Sequence, residues 1–135
     1  MYCKVRYFVA FILFGGTAVA QTGPRTWGPA DIIELQAQAE ANIERFLDTI
    51  AGKSVFVGEG RFMGFDRQPA PVPMWTAMVE PVAGNGRWVA CFYDHQDPKL
   101  SKISENTRVR IVGLVGPPVK SGLILGGNCI ITPLK

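Results

Sequence analysis

Two cysteines, Cys91 and Cys129, lie in apolar, strand-like runs, WVACFYD (88–94) and GGNCII (126–131). They are 38 positions apart (129 − 91). In an oxidising compartment such a pair can form a disulfide, for which the chain-entropy model gives a stabilisation of about 4 kcal/mol at this loop length. Alternatively, both are buried free thiols, since cysteine packs well as a small hydrophobe. The compartment predicted below favours the disulfide.

Residues that could perform catalysis or bind a metal are few. The one histidine, His95, lies between Asp94 and Asp97 in the sequence DHQD, whose spacing matches no established metal site, and a polar turn is the simpler interpretation. A single histidine excludes most hydrolase triads, and no serine lies in a nucleophile-elbow context. The run GEGRFMG (58–64) lacks the Lys-Ser/Thr ending of a phosphate loop. We therefore predict a protein that is not an enzyme, with no catalytic residues, cofactor or bound metal.

The first 20 residues predict export. A basic start is followed by an apolar core (7–14) and by the small-residue pattern AVA (18–20), which is typical of a secretory signal peptide cleaved after Ala20. The alternative is a membrane anchor, but the apolar run breaks at two glycines, short of the roughly 20 residues that a span needs. We predict a periplasmic or secreted product without stable membrane insertion.

Cleavage leaves 115 residues (135 − 20), enough for one domain. Without Lys4 and Arg6 the basic count falls from 14 to 12 against 11 acids, so the net charge falls from +3 to +1. The segment 29–51 is acidic, whereas the rest carries ten basic residues against six acids from Lys53 onward. This uneven distribution is a weak indication of anionic partners.

One helix is predicted ahead of a β-rich body. Residues 21–28 are expected to form a flexible leader, and 29–52 an amphipathic helix that begins at a proline and ends at a glycine. Its apolar residues recur at steps of three or four: Ile32, Leu35, Ala39, Ile43, Phe46 and Ile50. We expect this helix to pack on the body, because the later part of the chain offers only a short helical turn to cover it.

Five strands are predicted after the helix, separated by turn signals, at 54–65, 73–82, 87–94, 107–115 and 123–132. Asn85-Gly86 predicts a tight hairpin between the second and third strands, and the one long interruption follows the third. This spacing is that of a five-stranded Greek-key barrel of the oligonucleotide/oligosaccharide-binding (OB) type, here spanning 53–135. The predicted fold class is thus mainly β, with an OB-fold barrel preceded by one helix.

The predicted hairpin also assigns faces to its side chains. Its register puts Trp75, Ala77, Val79, Ala90 and Phe92 on the core face. Cys91 then lies outside the barrel wall, beneath the N-terminal helix, although a single bulge would reverse this assignment.

Four runs carry a similarity to a known family: VFVGEGRF (55–62), VACFYD (89–94), TRVRIVGLV (107–115) and LILGGNCII (123–131). Through them, residues 53–134 resemble the secreted bacterial OB-fold proteins of a tRNA-anticodon-binding-like family. The resemblance implies an OB-fold with no catalytic residues to carry over. The family's name implies nucleic-acid binding by analogy of fold.

Barrels of this type usually bind ligands on the face of their first three strands and in the adjoining loops. This location predicts six ligand-binding residues: Arg61, Phe62, Arg67, Trp88, Tyr93 and Lys120. The predicted function is that of an exported, non-catalytic binding module of the bacterial cell envelope that contacts a protein or a small ligand, and the proline-rich loop 68–73 fits contact with a protein. The alternative is single-stranded nucleic-acid binding through the same face, by base stacking and basic side chains. The near-neutral charge and the lack of a dense basic track favour the first.

Overall fold

The structure, a computed structural model, describes residues 25–68 and 74–135. The predicted signal peptide, residues 21–24 of the predicted leader and most of the proline-rich loop lie outside these ranges, so those predictions stay predictions. Within the described ranges, no helix is both long enough and apolar enough to cross a membrane.

Ten elements follow one another along the described chain: β1 (Thr26–Trp27), a 3₁₀ turn (Pro29–Asp31), α1 (Ile32–Ala41), α2 (Ile43–Thr49), β2 (Val55–Gln68), β3 (Met74–Pro81), β4 (Trp88–Tyr93), α3 (Pro98–Ser101), β5 (Arg108–Val119) and β6 (Gly122–Pro133). The strands pair in the order β1-β2-β3-β4-β6-β5, and β5 also pairs with β2, which closes a five-stranded barrel. The β4–β6 pair is parallel, whereas the other pairs within the barrel are antiparallel. The predicted OB-fold is confirmed.

The long strand β2 closes the barrel because it pairs with β5 along its first half and with β3 along its second half. A bulge between Phe62 and Gly64, where Gly64 has φ +134°, bends the strand between the two partners. At Gly60 the backbone of β3 approaches so closely that an added Cβ would lie 2.5 Å from the Pro81 Cα. Only glycine fits there without moving a neighbouring strand.

The predicted single helix is divided at Asn42, which has an extended backbone (φ −161°, ψ 94°). Its side-chain oxygen accepts a hydrogen bond from the Arg45 amide at 3.0 Å and so caps α2. Asparagine favours such caps over helix interiors, and this preference explains the break. Most of the apolar stripe, including Leu35 and Phe46, is buried in one cluster with barrel residues, but Ile43 is 49% exposed just after the break.

The predicted flexible leader is wrong for its last residues. Thr26–Trp27 pairs in parallel with Val55–Phe56, and the Trp27 side chain is buried. The Arg25 guanidinium lies 3.8 Å from the Trp27 ring centroid and also forms an ion pair with Glu34 at 3.1 Å. Burial of a large aromatic ring and a cation–π contact therefore hold this segment on the barrel.

The predicted hairpin register is also wrong. The observed partners are Trp75 with Tyr93, Ala77 with Cys91 and Val79 with Val89, so the pairing is centred on Gly84. A six-residue loop (82–87) with left-handed backbone at three positions replaces the tight turn at Asn85-Gly86. A register shift by an odd number of residues exchanges the two faces of β4. Cys91 accordingly lies in the core, and the ring of Phe92, predicted as core, is 42% exposed.

The predicted cysteine pair is confirmed. Cys91 on β4 and Cys129 on β6 form a disulfide pair, with Cα atoms 6.2 Å apart, inside the usual range for such a bridge. A disulfide is compatible with export to an oxidising compartment.

Candidate functional site

The structure does not bring the six predicted ligand-binding residues together. The Phe62 ring is 1% exposed and fills the barrel core, so its assignment to a contact surface is wrong. Arg67 and Tyr93 belong to the end of the barrel reached by the second half of β2, whereas Trp88 and Lys120 lie at the opposite end, near the β5–β6 turn. Arg61 lies between the two ends on the exposed side of β2.

The outer side of β2, β3 and β4 carries a row of apolar side chains, which we call the strand face: Met63, Met78, Ala90 and Phe92. Within this row Met63 and Phe92 are exposed, Met78 is half-buried and Ala90 is buried. Met78 pairs with Ala90 on β4, and Phe92 lies two residues further along the same side. Met63 is exposed at the bulge of β2 (39%), beside the Gly64 that pairs with Met78. The row therefore crosses all three strands on which OB-folds usually bind their ligands.

Two arginines near the strand face, Arg61 and Arg108, are paired with acids. Arg61 forms an ion pair with Glu80 and also donates a hydrogen bond to Asn106. Arg108 lies 3.7 Å from the Glu59 carboxylate. Such exposed pairs add little to stability, but each offsets one positive charge on this side of the barrel.

Three aromatic rings form a cluster at one end of the barrel. The Phe65 ring centroid lies 5.1 Å from that of Trp75 and 5.6 Å from that of Tyr93. The Tyr93 hydroxyl donates a hydrogen bond to the Cys129 carbonyl at 3.3 Å. Burial, with a smaller contribution from the Asp97 charge, raises the pKa of Tyr93. The three rings pack against one another at this end of the barrel, and Tyr93 has a structural role there.

We expect the phenol of Tyr93 to titrate above its usual pKa of 10.0 in the folded protein. Because the folded pKa is raised, the associated stabilisation is complete below the unfolded pKa and is lost as the pH rises through the folded one. Tyr2 and Tyr7 belong to the predicted signal peptide, so phenolate absorbance of the cleaved chain reports Tyr93 alone. Asp97→Asn, which keeps a capping side chain, should lower the folded midpoint, and equal midpoints with and without denaturant would contradict the prediction.

The polar side chains of the DHQD loop form hydrogen bonds with neighbouring residues of the chain. The Asp94 carboxylate lies 2.6 Å from the His95 Nδ1, and this hydrogen bond, with the His95 charge, lowers the pKa of Asp94. The Asp97 carboxylate accepts a hydrogen bond from the Lys99 amide at 2.8 Å and caps α3. Among residues 25–68 and 74–135, no three His, Cys, Asp or Glu side chains are grouped as metal ligands.

A cleft of about 690 Å³ lies between α1, the β3–β4 loop and the β5–β6 turn. We call it the helix cleft; its lining residues are Gln36, Ala39, Glu40, Ile43, Arg87, Pro118, Val119 and Lys120. Only Lys120 was among the predicted site residues. The other positions come together through helix and loop packing, so no local sequence signal identifies them.

Comparisons with known protein-family models and with curated proteins give no match for this chain. The resemblance to the tRNA-anticodon-binding-like family therefore stays a prediction. The fold itself defines the class as a small OB-fold barrel with an N-terminal helical cover, and the strand face and the helix cleft are its candidate binding surfaces.

Proposed function

We propose that this protein is an exported, non-catalytic binding module of the bacterial cell envelope that recognises a protein partner through its strand face. The observation that supports this proposal is the apolar row across three strands, in which Met63 and Phe92 are exposed and Met78 is half-buried. Centres of protein–protein interfaces are depleted in charge and enriched in aromatic residues and methionine.

The chemistry of this row suits a protein better than a small ligand. Methionine side chains are flexible and polarisable, so they can adapt to an irregular partner surface. Phe92 offers one large ring that can fill a partner pocket, as interface anchors do. The ion pair between Arg61 and Glu80 borders the row and supplies a polar rim.

Single-stranded nucleic acid is the second candidate, because the exposed Phe92 ring could stack on a base. Nucleic-acid binding draws on unpaired basic side chains that neutralise phosphates. Arg61 and Arg108 are instead paired with Glu80 and Glu59. Charge balance therefore supports the protein partner.

A photoreactive amino acid at position 92 should form a defined covalent adduct with a protein in cells that export the chain. The matched control is the same amino acid at position 130, because Ile130 is also an exposed apolar residue (61%) but lies on β6. We expect a discrete adduct from position 92 only. No adduct at 92, or identical adducts at both positions, would contradict the proposal.

A test of oligonucleotide binding distinguishes a protein partner from single-stranded nucleic acid. Fluorescence anisotropy should detect no binding of short single strands at low salt. Binding that weakens steeply with salt and is lost in Phe92→Ser would instead favour nucleic acid.

A further inference from the structure

The walls of the helix cleft are held by hydrogen bonds. The Gln36 side-chain amide donates to the Val119 carbonyl at 2.7 Å and accepts from the Arg87 Nε at 2.9 Å. One side chain of α1 thus fixes both the β5–β6 turn and the arginine of the β3–β4 loop. Because these hydrogen bonds already order the walls, ligand binding would cost little conformational entropy.

The β5–β6 turn is also held from its other side. The Trp88 amide donates to the Ser121 carbonyl at 3.2 Å, and the Trp88 indole donates to the Ser121 hydroxyl at 3.1 Å. Lys120, which lines the cleft, precedes this anchored serine. The backbone that carries Lys120 is therefore fixed, while its side chain is exposed.

The charge of the cleft favours an anion. Within the described ranges, neither Arg87 nor Lys120 has an acidic group within ion-pair distance. Arg87 uses its Nε for Gln36, and its terminal nitrogens have only a long contact of 3.5 Å with the Asn85 carbonyl. With Glu40 also in the lining, the formal charge is +1 (two cations and one anion), which matches a monoanion better than a phosphate dianion.

The remaining lining is apolar, and its two largest side chains are exposed. The side chains of Ile43 and Val119 are 49% and 37% exposed, although both are large and hydrophobic. Ile43, the first residue of α2, lines the cleft together with Ala39 of α1. The lining thus offers apolar surface beside two cationic groups, and its volume lies within the usual range for ligand pockets.

We propose that the helix cleft binds a free aliphatic monocarboxylate, with its carboxylate at Arg87 and Lys120 and its hydrocarbon chain against Ile43 and Val119. This site is separate from the strand face, so Phe92→Ser should leave carboxylate binding unchanged. Planar guanidinium groups bind carboxylates through paired hydrogen bonds, which distinguishes this ligand from a simple halide ion.

Titration of isotope-labelled protein with octanoate, below its micelle concentration, should give saturable NMR shifts at Gln36, Arg87 and Lys120. From butanoate to octanoate the affinity should rise by up to about fourfold per methylene. Arg87→Gln should weaken binding at least about tenfold, since hydrogen bonds to charged groups contribute at this level. Glu40→Gln should strengthen binding, because it removes the one negative charge of the lining.

The control variant is Lys99→Gln, which removes a cation from α3, outside the cleft, and should leave the affinity unchanged. Octylammonium and inorganic phosphate are the control ligands, and we expect neither to match octanoate. Absence of saturable shifts, equal affinity for octylammonium or phosphate, or equal losses in Arg87→Gln and Lys99→Gln would each overturn the proposal. None of these outcomes bears on cross-linking at Phe92, so the two proposals fail independently.

Discussion

Replacing Phe46 by alanine should lower the free energy of unfolding by about 3 to 5 kcal/mol. Phe46 lies on α2, its ring is 1% exposed, and it belongs to the same cluster as the barrel residues Phe56 and Val115. Truncation removes apolar contacts and leaves a cavity at the junction between helix and barrel. Urea unfolding followed by circular dichroism and by tryptophan fluorescence measures the effect.

Leu47→Ala is the matched control for this experiment. Leu47 is the next residue of the same helix and is 49% exposed, so its truncation should change the stability by no more than about 0.5 kcal/mol. Similar losses for the two variants would mean that α2 does not pack on the barrel in solution. Separate transitions for the two spectroscopic signals would mean that helices and barrel do not unfold as one unit.

Reduction of the disulfide should destabilise the chain without its predicted signal peptide by about 4 kcal/mol, since the bridge between Cys91 and Cys129 closes a loop with a sequence separation of 38. The bridge also joins the parallel strands β4 and β6 next to the buried Cys91 side chain. The measurement compares urea unfolding with and without a thiol reductant.

The double variant Cys91→Ala/Cys129→Ala provides the control, because its stability should not respond to the reductant. It should resemble the reduced wild-type protein, apart from the small loss of packing at position 91. A wild-type protein whose stability is equal in both buffers would contradict the prediction.

The barrel could be predicted from the sequence because its signals are local. β-branched and aromatic runs mark the strands, and the single long interruption after the third strand identifies the Greek-key order. The strand bounds differ most at the last hairpin. There, the predicted break GPPVKSG (116–122) shrinks to the turn at Lys120 and Ser121, because β5 continues through the two prolines beside a register shift.

Two of the errors arise at asparagines, which permit more than one backbone conformation. Asn85-Gly86 is a strong turn signal, but the loop takes left-handed backbone at Ala83 as well, and the register changes parity. Asn42 can interrupt a helix or lie on its surface, and nothing in the neighbouring sequence decides between the two. Phe92 and Ile43 are both predicted to be buried, but the structure exposes them. Each lies on a surface for which we propose a binding role.

The candidate sites were less predictable than the fold. The usual binding face of OB-folds predicts Phe62 on the surface, and the hairpin register predicts Phe92 in the core, whereas the structure buries Phe62 and exposes Phe92. The helix cleft depends on Gln36 meeting a turn that is 83 positions later in the chain. This contact forms only when the folded barrel places the β5–β6 turn next to α1.

The position of β6 has a consequence for the order in which the chain can mature. β6 inserts between β4 and β5, which both precede it in the sequence. While β6 is still being synthesised, those two strands keep unpaired edges that can recruit another chain. The barrel therefore cannot close, and Cys129 cannot reach Cys91, until the last strand of the chain has been made.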